Sequence, residues 1–284
     1  MLDNFDPGSY AGNVITDLAG RRSISGQLRK VQDDKSVLLL RLLFLFTLKG
    51  VQSINGHIMA CLNMASTKIN AIERNGIPDS QGSTIELLKL LFNLLHNYPK
   101  MAIPHFGERA SSLIAILRKA TEDITVCGTI HRYICNVLLC SPLEQWQKYA
   151  PLVASSIMTY LQFTLGKQDV SDVQILSELA LLQTITVSND PDVNALLQSN
   201  LVPGLEDRKQ VLGQSGSLIS LMLKATTNID LRHSRTTIYG ILWKVSNESR
   251  KPPTNTKFYN LCLTSSRICT KLRPGICYRI PVSG

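Results

Sequence analysis

Apolar residues recur at intervals of three and four along most of this chain, and the two-residue alternation of a half-buried strand is hard to find. The pattern predicts helices over about 25–47, 56–74, 86–97, 107–119, 123–139, 149–164, 172–188, 192–199, 215–226 and 231–246. The run from Glu86 to Leu95 is the most informative. As a helix it is apolar almost all round, broken only by Glu86, Lys89 and Asn93, then His96 or Asn97. Those positions step by three and four and so share one narrow stripe. Ser83 or Thr84 is the expected N-cap. A helix buried on most of its circumference fits the inner layer of a stacked array, where neighbours cover both flanks and one stripe faces an open groove.

The unit repeats. Phe92-Asn93-Leu94 follows Phe44-Leu45-Phe46 by 48 residues, Asn136 follows Asn93 by 43, and Gln183 follows Asn136 by 47. Spacings of this size, each spanning a helical hairpin, match armadillo or HEAT arrays. The predicted fold is therefore all-α, an armadillo/HEAT-like superhelical repeat, or α-solenoid. Residues 1–23 hold Pro7, Gly8, Gly12 and Gly20 with little periodicity and read as a loose N-terminal segment. Residues 24–249 form the repeat domain. Residues 250–284 form a basic, irregular tail.

Composition refines this picture. The chain has 284 residues, 44% hydrophobic but only 6% aromatic, which suits helices packed through aliphatic side chains. Its net charge of +9 is concentrated late: from Asp207 onward there are 13 Lys or Arg against 3 Asp or Glu, while the first 206 residues hold 17 against 18. A basic tail can meet nucleic acid or an acidic partner, but a solvated segment is the simpler reading and no nucleic-acid partner is expected. The seven cysteines are odd in number, contain no CxxC pair and follow no signal-like N-terminus. A reducing, cytoplasmic setting is expected. The most apolar run, Val37–Leu48, is short and interrupted by Arg41, which argues against a membrane span.

The candidate chemistry is that of binding. There is no HExxH, no phosphate loop ending in GKS or GKT, and no GxGxxG. Neither a catalytic residue nor a cofactor is expected. Cys127, His131 and Cys135 fall four apart on one helix face, but no fourth ligand is evident and no metal site is predicted. Glu86, Lys89 and Asn93, with Phe92 as a neighbouring apolar anchor, are the first candidates for a guest-binding groove. Arg41 stands alone in a ten-residue apolar run, so it must reach that groove or find an acid, on Asp33, Asp34 or a neighbouring repeat. Arg132 and Asn136 repeat the stripe one unit later. An inner-helix Asn can bind a guest's backbone or satisfy the adjacent helix.

These residues also resemble a known family. Arg41-Leu-Leu-Phe-Leu-Phe-Thr47 is similar to the RLLFLLT helix of the synembryns, exchange factors and folding chaperones of heterotrimeric G-protein α subunits (Gα). Glu86-Leu-Leu-Lys-Leu-Leu-Phe-Asn93 resembles the family's EVLKVLFN helix. Val202-Pro-Gly-Leu-Glu-Asp-Arg208, and the run from Leu218 to Ser249, resemble later segments in the same order. The resemblance covers about residues 36–249, and the family's TGYGNAAG-type motif has no counterpart after Ser249. It implies a helical groove that receives the C-terminal helix of Gα, loosens the nucleotide pocket and releases GDP without covalent chemistry. It also implies that the chain meets the membrane, at the cell cortex, only through that partner. A generic armadillo-type scaffold without exchange activity is the alternative.

Overall fold

The computed structural model describes residues 7–20, 27–48, 52–78, 81–201 and 217–248. Among them every regular element is helical. The helices are α1 (Pro7–Gly20), α2 (Gln27–Leu48), α3 (Ile58–Asn75), α4 (Gly82–Asn97), α5 (Pro99–Gly107), α6 (Ala110–Glu122), α7 (Ile124–Cys140), α8 (Ala150–Leu165), α9 (Asp172–Val187), α10 (Pro191–Leu201), α11 (Leu218–Ala225) and α12 (Ser234–Glu248).

They stack in two layers. In one, α2 packs on α4, α4 on α7, α7 on α9 and α9 on α12. In the other, α3 packs on α6, α6 on α8, and α8 on both α10 and α11. The layers join through pairs such as α6 with α7 and α8 with α9. Sequential contact of like elements is the defining feature of an α-solenoid, so the chain has the expected class. The helices predicted from the pattern as inner ones are those of the first layer.

Leucines hold the layers together. In α4, Leu87, Leu88, Leu90, Leu94 and Leu95 are at most 2% exposed, because α2, α3 and α7 close around them. The same core continues through Ile130, Ile134 and Leu138 of α7 and Ile175, Leu179 and Leu182 of α9. Local signals set the helix ends. Ser171 and Gln174 make a reciprocal capping box at the start of α9, and Asn189 takes a left-handed conformation (φ 58°) just past its end.

Two expectations change. The segment expected to be loose contains α1, whose Ala11, Val14, Ile15 and Leu18 are buried against α2 and α3. Pro7 opens that helix, where its missing N–H is harmless. Gly12 lies where a Cβ would come within 3.2 Å of the His57 ring, so that glycine marks a close approach rather than a break. The N-cap of α4 is Gln81, without a side-chain cap, and Ser83 and Thr84 lie inside the first turn. The expected tail of residues 250–284 lies outside the described residues, as do Cys262, Cys269 and Cys277.

Candidate functional site

The polar stripe of α4 exists, and it runs along the seam between consecutive inner helices. Glu86, its side chain only 6% exposed, accepts hydrogen bonds at Oε1 from Arg41 Nε of α2 and from Lys89 Nζ, both at 3.1 Å. Arg41 therefore finds its acid on the neighbouring repeat. One turn on, Asn93 is buried and donates through Nδ2 to Thr47 Oγ1 of α2. Asn97 Nδ2 donates to Asn93 Oδ1 at 2.7 Å and to the Thr47 carbonyl at 3.4 Å.

The next seam repeats the logic. On α7, Asn136 Oδ1 accepts from Ser177 Oγ of α9 at 2.7 Å, and Arg132 Nη1 donates to the Val173 carbonyl at 3.3 Å. The cross-seam partners lie 41 to 50 residues apart, about one repeat length. Each inner helix thus spends part of its stripe on fixing the next one.

Some stripe groups keep access to solvent. The Arg41 side chain is 59% exposed and Lys89 30%. Lys89 Nζ and the Arg132 guanidinium each lie 5.4 Å from the centroid of the Tyr133 ring, which joins α4 to α7 through cation–π contacts. Arg41, Glu86, Lys89, Tyr133 and Arg132 therefore form a continuous row across three inner helices. Two of its three cations, Arg41 and Lys89, hold the one buried carboxylate, and Arg132 follows beyond Tyr133, so the row carries two surplus positive charges. Beside Arg132 opens a cleft of about 210 Å³, lined by Thr125, Thr129, Tyr160, Thr164 and Lys167 among others, which adds a fourth cation. Val173 and Leu176 of α9 present exposed apolar surface at that end of the row.

Of the seven candidates, the structure brings Arg41, Glu86, Lys89 and Arg132 into this row. Glu86 and Asn93 are too buried to touch a guest, and Asn136 is engaged by Ser177. Phe92 is half-buried, packs against the core and stacks on the exposed His96 of its own helix, with ring centroids 6.2 Å apart. Sequence reasoning missed Tyr133 and Lys167. Tyr133 could have been found, since it adjoins Arg132 and follows Lys89 by one repeat length. Lys167 could not, because its place depends on how α8 meets α7.

On the buried side of α7, His131 and Cys135 face Glu178 of α9, and the ligand atoms of all three lie within 4.8 Å of one another. Burial, with the charge of Glu178 as a second cause, pushes the Cys135 thiol well above its ordinary range. Further along, Asp172 at the start of α9 accepts from the backbone N–H groups of His233 and Ser234, from the Ser234 hydroxyl at 2.6 Å and from His233 Nδ1 at 2.9 Å. Burial raises its carboxyl, but these bonds together outweigh that and hold it at about 2. This carboxylate ties α9 to the N-terminus of α12.

Comparison with known proteins settles the family. A family model described as guanine nucleotide exchange factor synembryn matches residues 9–252, the greater part of the chain. The chain belongs to the synembryn family. No curated protein and no solved structure matches. An exchange-factor family implies a G-protein partner, and the match begins within α1, in keeping with the packing of that helix. Among the described residues no helix is long and apolar enough to cross a membrane.

Proposed function

We propose that this synembryn-family chain binds Gα subunits by receiving their C-terminal helix on the inner-helix face, and thereby promotes GDP release, Gα folding, or both. The observation that carries this reading is the cationic row of Arg41, Lys89 and Arg132. A helix presents partial negative charge at its C-terminal end, and a chain terminus adds a full carboxylate. A row with two surplus positive charges, flanked by exposed Val173 and Leu176, complements such an end together with one apolar face of an amphipathic guest. Arg132 and Arg41 suit a carboxylate best, because a guanidinium can grip both oxygens.

Exchange then follows from differential affinity. A factor that binds nucleotide-free Gα more tightly than the GDP-bound form lowers the affinity for GDP by the same coupling factor. No bond is made or broken, so the chain acts by binding and positioning. Glu86 and Asn93 serve by holding α4 against α2 so that the exposed cations keep their spacing. The site of action is the cytoplasm, and the cell cortex is reached through the partner.

The test is GDP release from purified Gα preloaded with labelled nucleotide. The full chain is expected to accelerate release in proportion to its concentration, and Arg41→Glu with Lys89→Glu together are expected to abolish the effect. Unchanged release alongside stable binding to Gα would leave a scaffold without exchange activity.

A further inference from the structure

We propose that His131, Cys135 and Glu178 form a buried zinc site that clamps α7 to α9. The sequence suggests no such site, because its acidic member comes from the next repeat and Cys127 is not part of it. All three residues are fully buried. His131 Nδ1 lies 3.5 Å from Glu178 Oε1 and 3.8 Å from Cys135 Sγ. These separations are long for good hydrogen bonds. Both fall within the range of about 3.3–3.8 Å that bonds of about 2.0–2.3 Å set between neighbouring donor atoms of a tetrahedral zinc site, and the third pair, Cys135 and Glu178, lies within 4.8 Å.

A second observation points to a missing ligand. Glu178 Oε2 is buried without a hydrogen-bond partner. A carboxylate left in a leucine-rich core with one long contact is costly. A divalent ion would satisfy it. The charge also balances: Zn²⁺ with one carboxylate, one thiolate and one neutral imidazole sums to zero, so little net charge is buried. On binding, the Cys135 thiol gives up its proton to solvent and sulfur forms the bond to zinc. His131 Nε2 has no partner either, so nothing locks the imidazole in the tautomer that would block Nδ1. Tyr160 stacks parallel on the imidazole at 4.3 Å between centroids and fixes its plane, while its hydroxyl donates to the Gln174 carbonyl. Three protein ligands of the N, S, O set favour zinc over magnesium or calcium, which prefer oxygen alone. Three protein ligands leave the fourth position to a water, and the full burial of all three suits a role in holding the two helices together.

The test uses the full chain with Cys262, Cys269 and Cys277 changed to serine, to remove competing thiols. After exposure to zinc and dialysis against a weak chelator, about one zinc per chain is expected, with a rise in Tm. Cobalt substituted for zinc should give a thiolate-to-cobalt charge-transfer band. Cys135→Ala should lose both the band and the zinc, while Cys127→Ser keeps them. If Cys135→Ala does not fold, Glu178→Gln carries the comparison, because it keeps the shape and removes the charge. A helical parent that retains no zinc and shows no band would overturn the site. So would zinc held at parental affinity by a folded Cys135→Ala or Glu178→Gln variant.

Discussion

Glu86 draws together Arg41 and Lys89, two cations from adjacent inner helices, and its burial makes it the least replaceable member of the row. Glu86→Gln would leave both cations beside a neutral amide that accepts less well. A loss of about 1–3 kcal/mol is expected, read as a lower denaturant midpoint with unchanged slope. Asn93→Ala should show the other kind of seam contact. A double-mutant cycle with Thr47→Ala is expected to give a coupling of about 0.5–3 kcal/mol, and additive effects would contradict the seam bond. The residue types of the stripe were legible from their spacing, and so was the need of Arg41 for an acid. Which of them face solvent was not, because a period of three or four fixes the helix face but not where the neighbouring helix closes over it. Glu86 and Asn93 therefore turned out to build the surface that Lys89 presents.

Helices that bury leucine on several sides announced themselves in the sequence, and α4 is the clearest. Leu90→Ala should cost about 2–5 kcal/mol, because the residue is fully buried among α4's neighbours and little can collapse into the space. Elements carrying proline or glycine were read less well. The start of α1 looked like a break, and α5 was hidden between Pro99 at its start and Pro104 inside it. In both cases the local signal for stopping was sound, and tertiary burial overrode it. The Asp172 link between α9 and α12 was invisible, since its partners lie 61 and 62 residues away. Its carboxyl is lowered from 3.8 to about 2, so its contribution is fully present above about pH 4 and fades as pH falls toward 2. The destabilisation caused by Asp172→Ala should accordingly be large at neutral pH and shrink across that interval. A penalty that is constant down to pH 2 would contradict the charged cap.

At the scale of the whole molecule, the main contacts among the described residues run between neighbouring repeats, so stability is approximately a sum of units and seams. The repeat length and the all-helical class could both be read from the sequence, because spacing along the chain maps directly onto stacking in space. The surface proposed to bind Gα draws on several repeats together: Arg41, Lys89 and Arg132 sit on α2, α4 and α7, and no single hairpin carries the row. Binding of a Gα C-terminal peptide to the full chain, followed by fluorescence anisotropy, tests that claim most directly. Saturable binding is predicted, weakened at least about tenfold (~1.4 kcal/mol) by Lys89→Glu and by raised salt. A folded chain that does not bind the peptide, or binds it equally well with Lys89→Glu, would contradict the assignment of the inner-helix row as the Gα site.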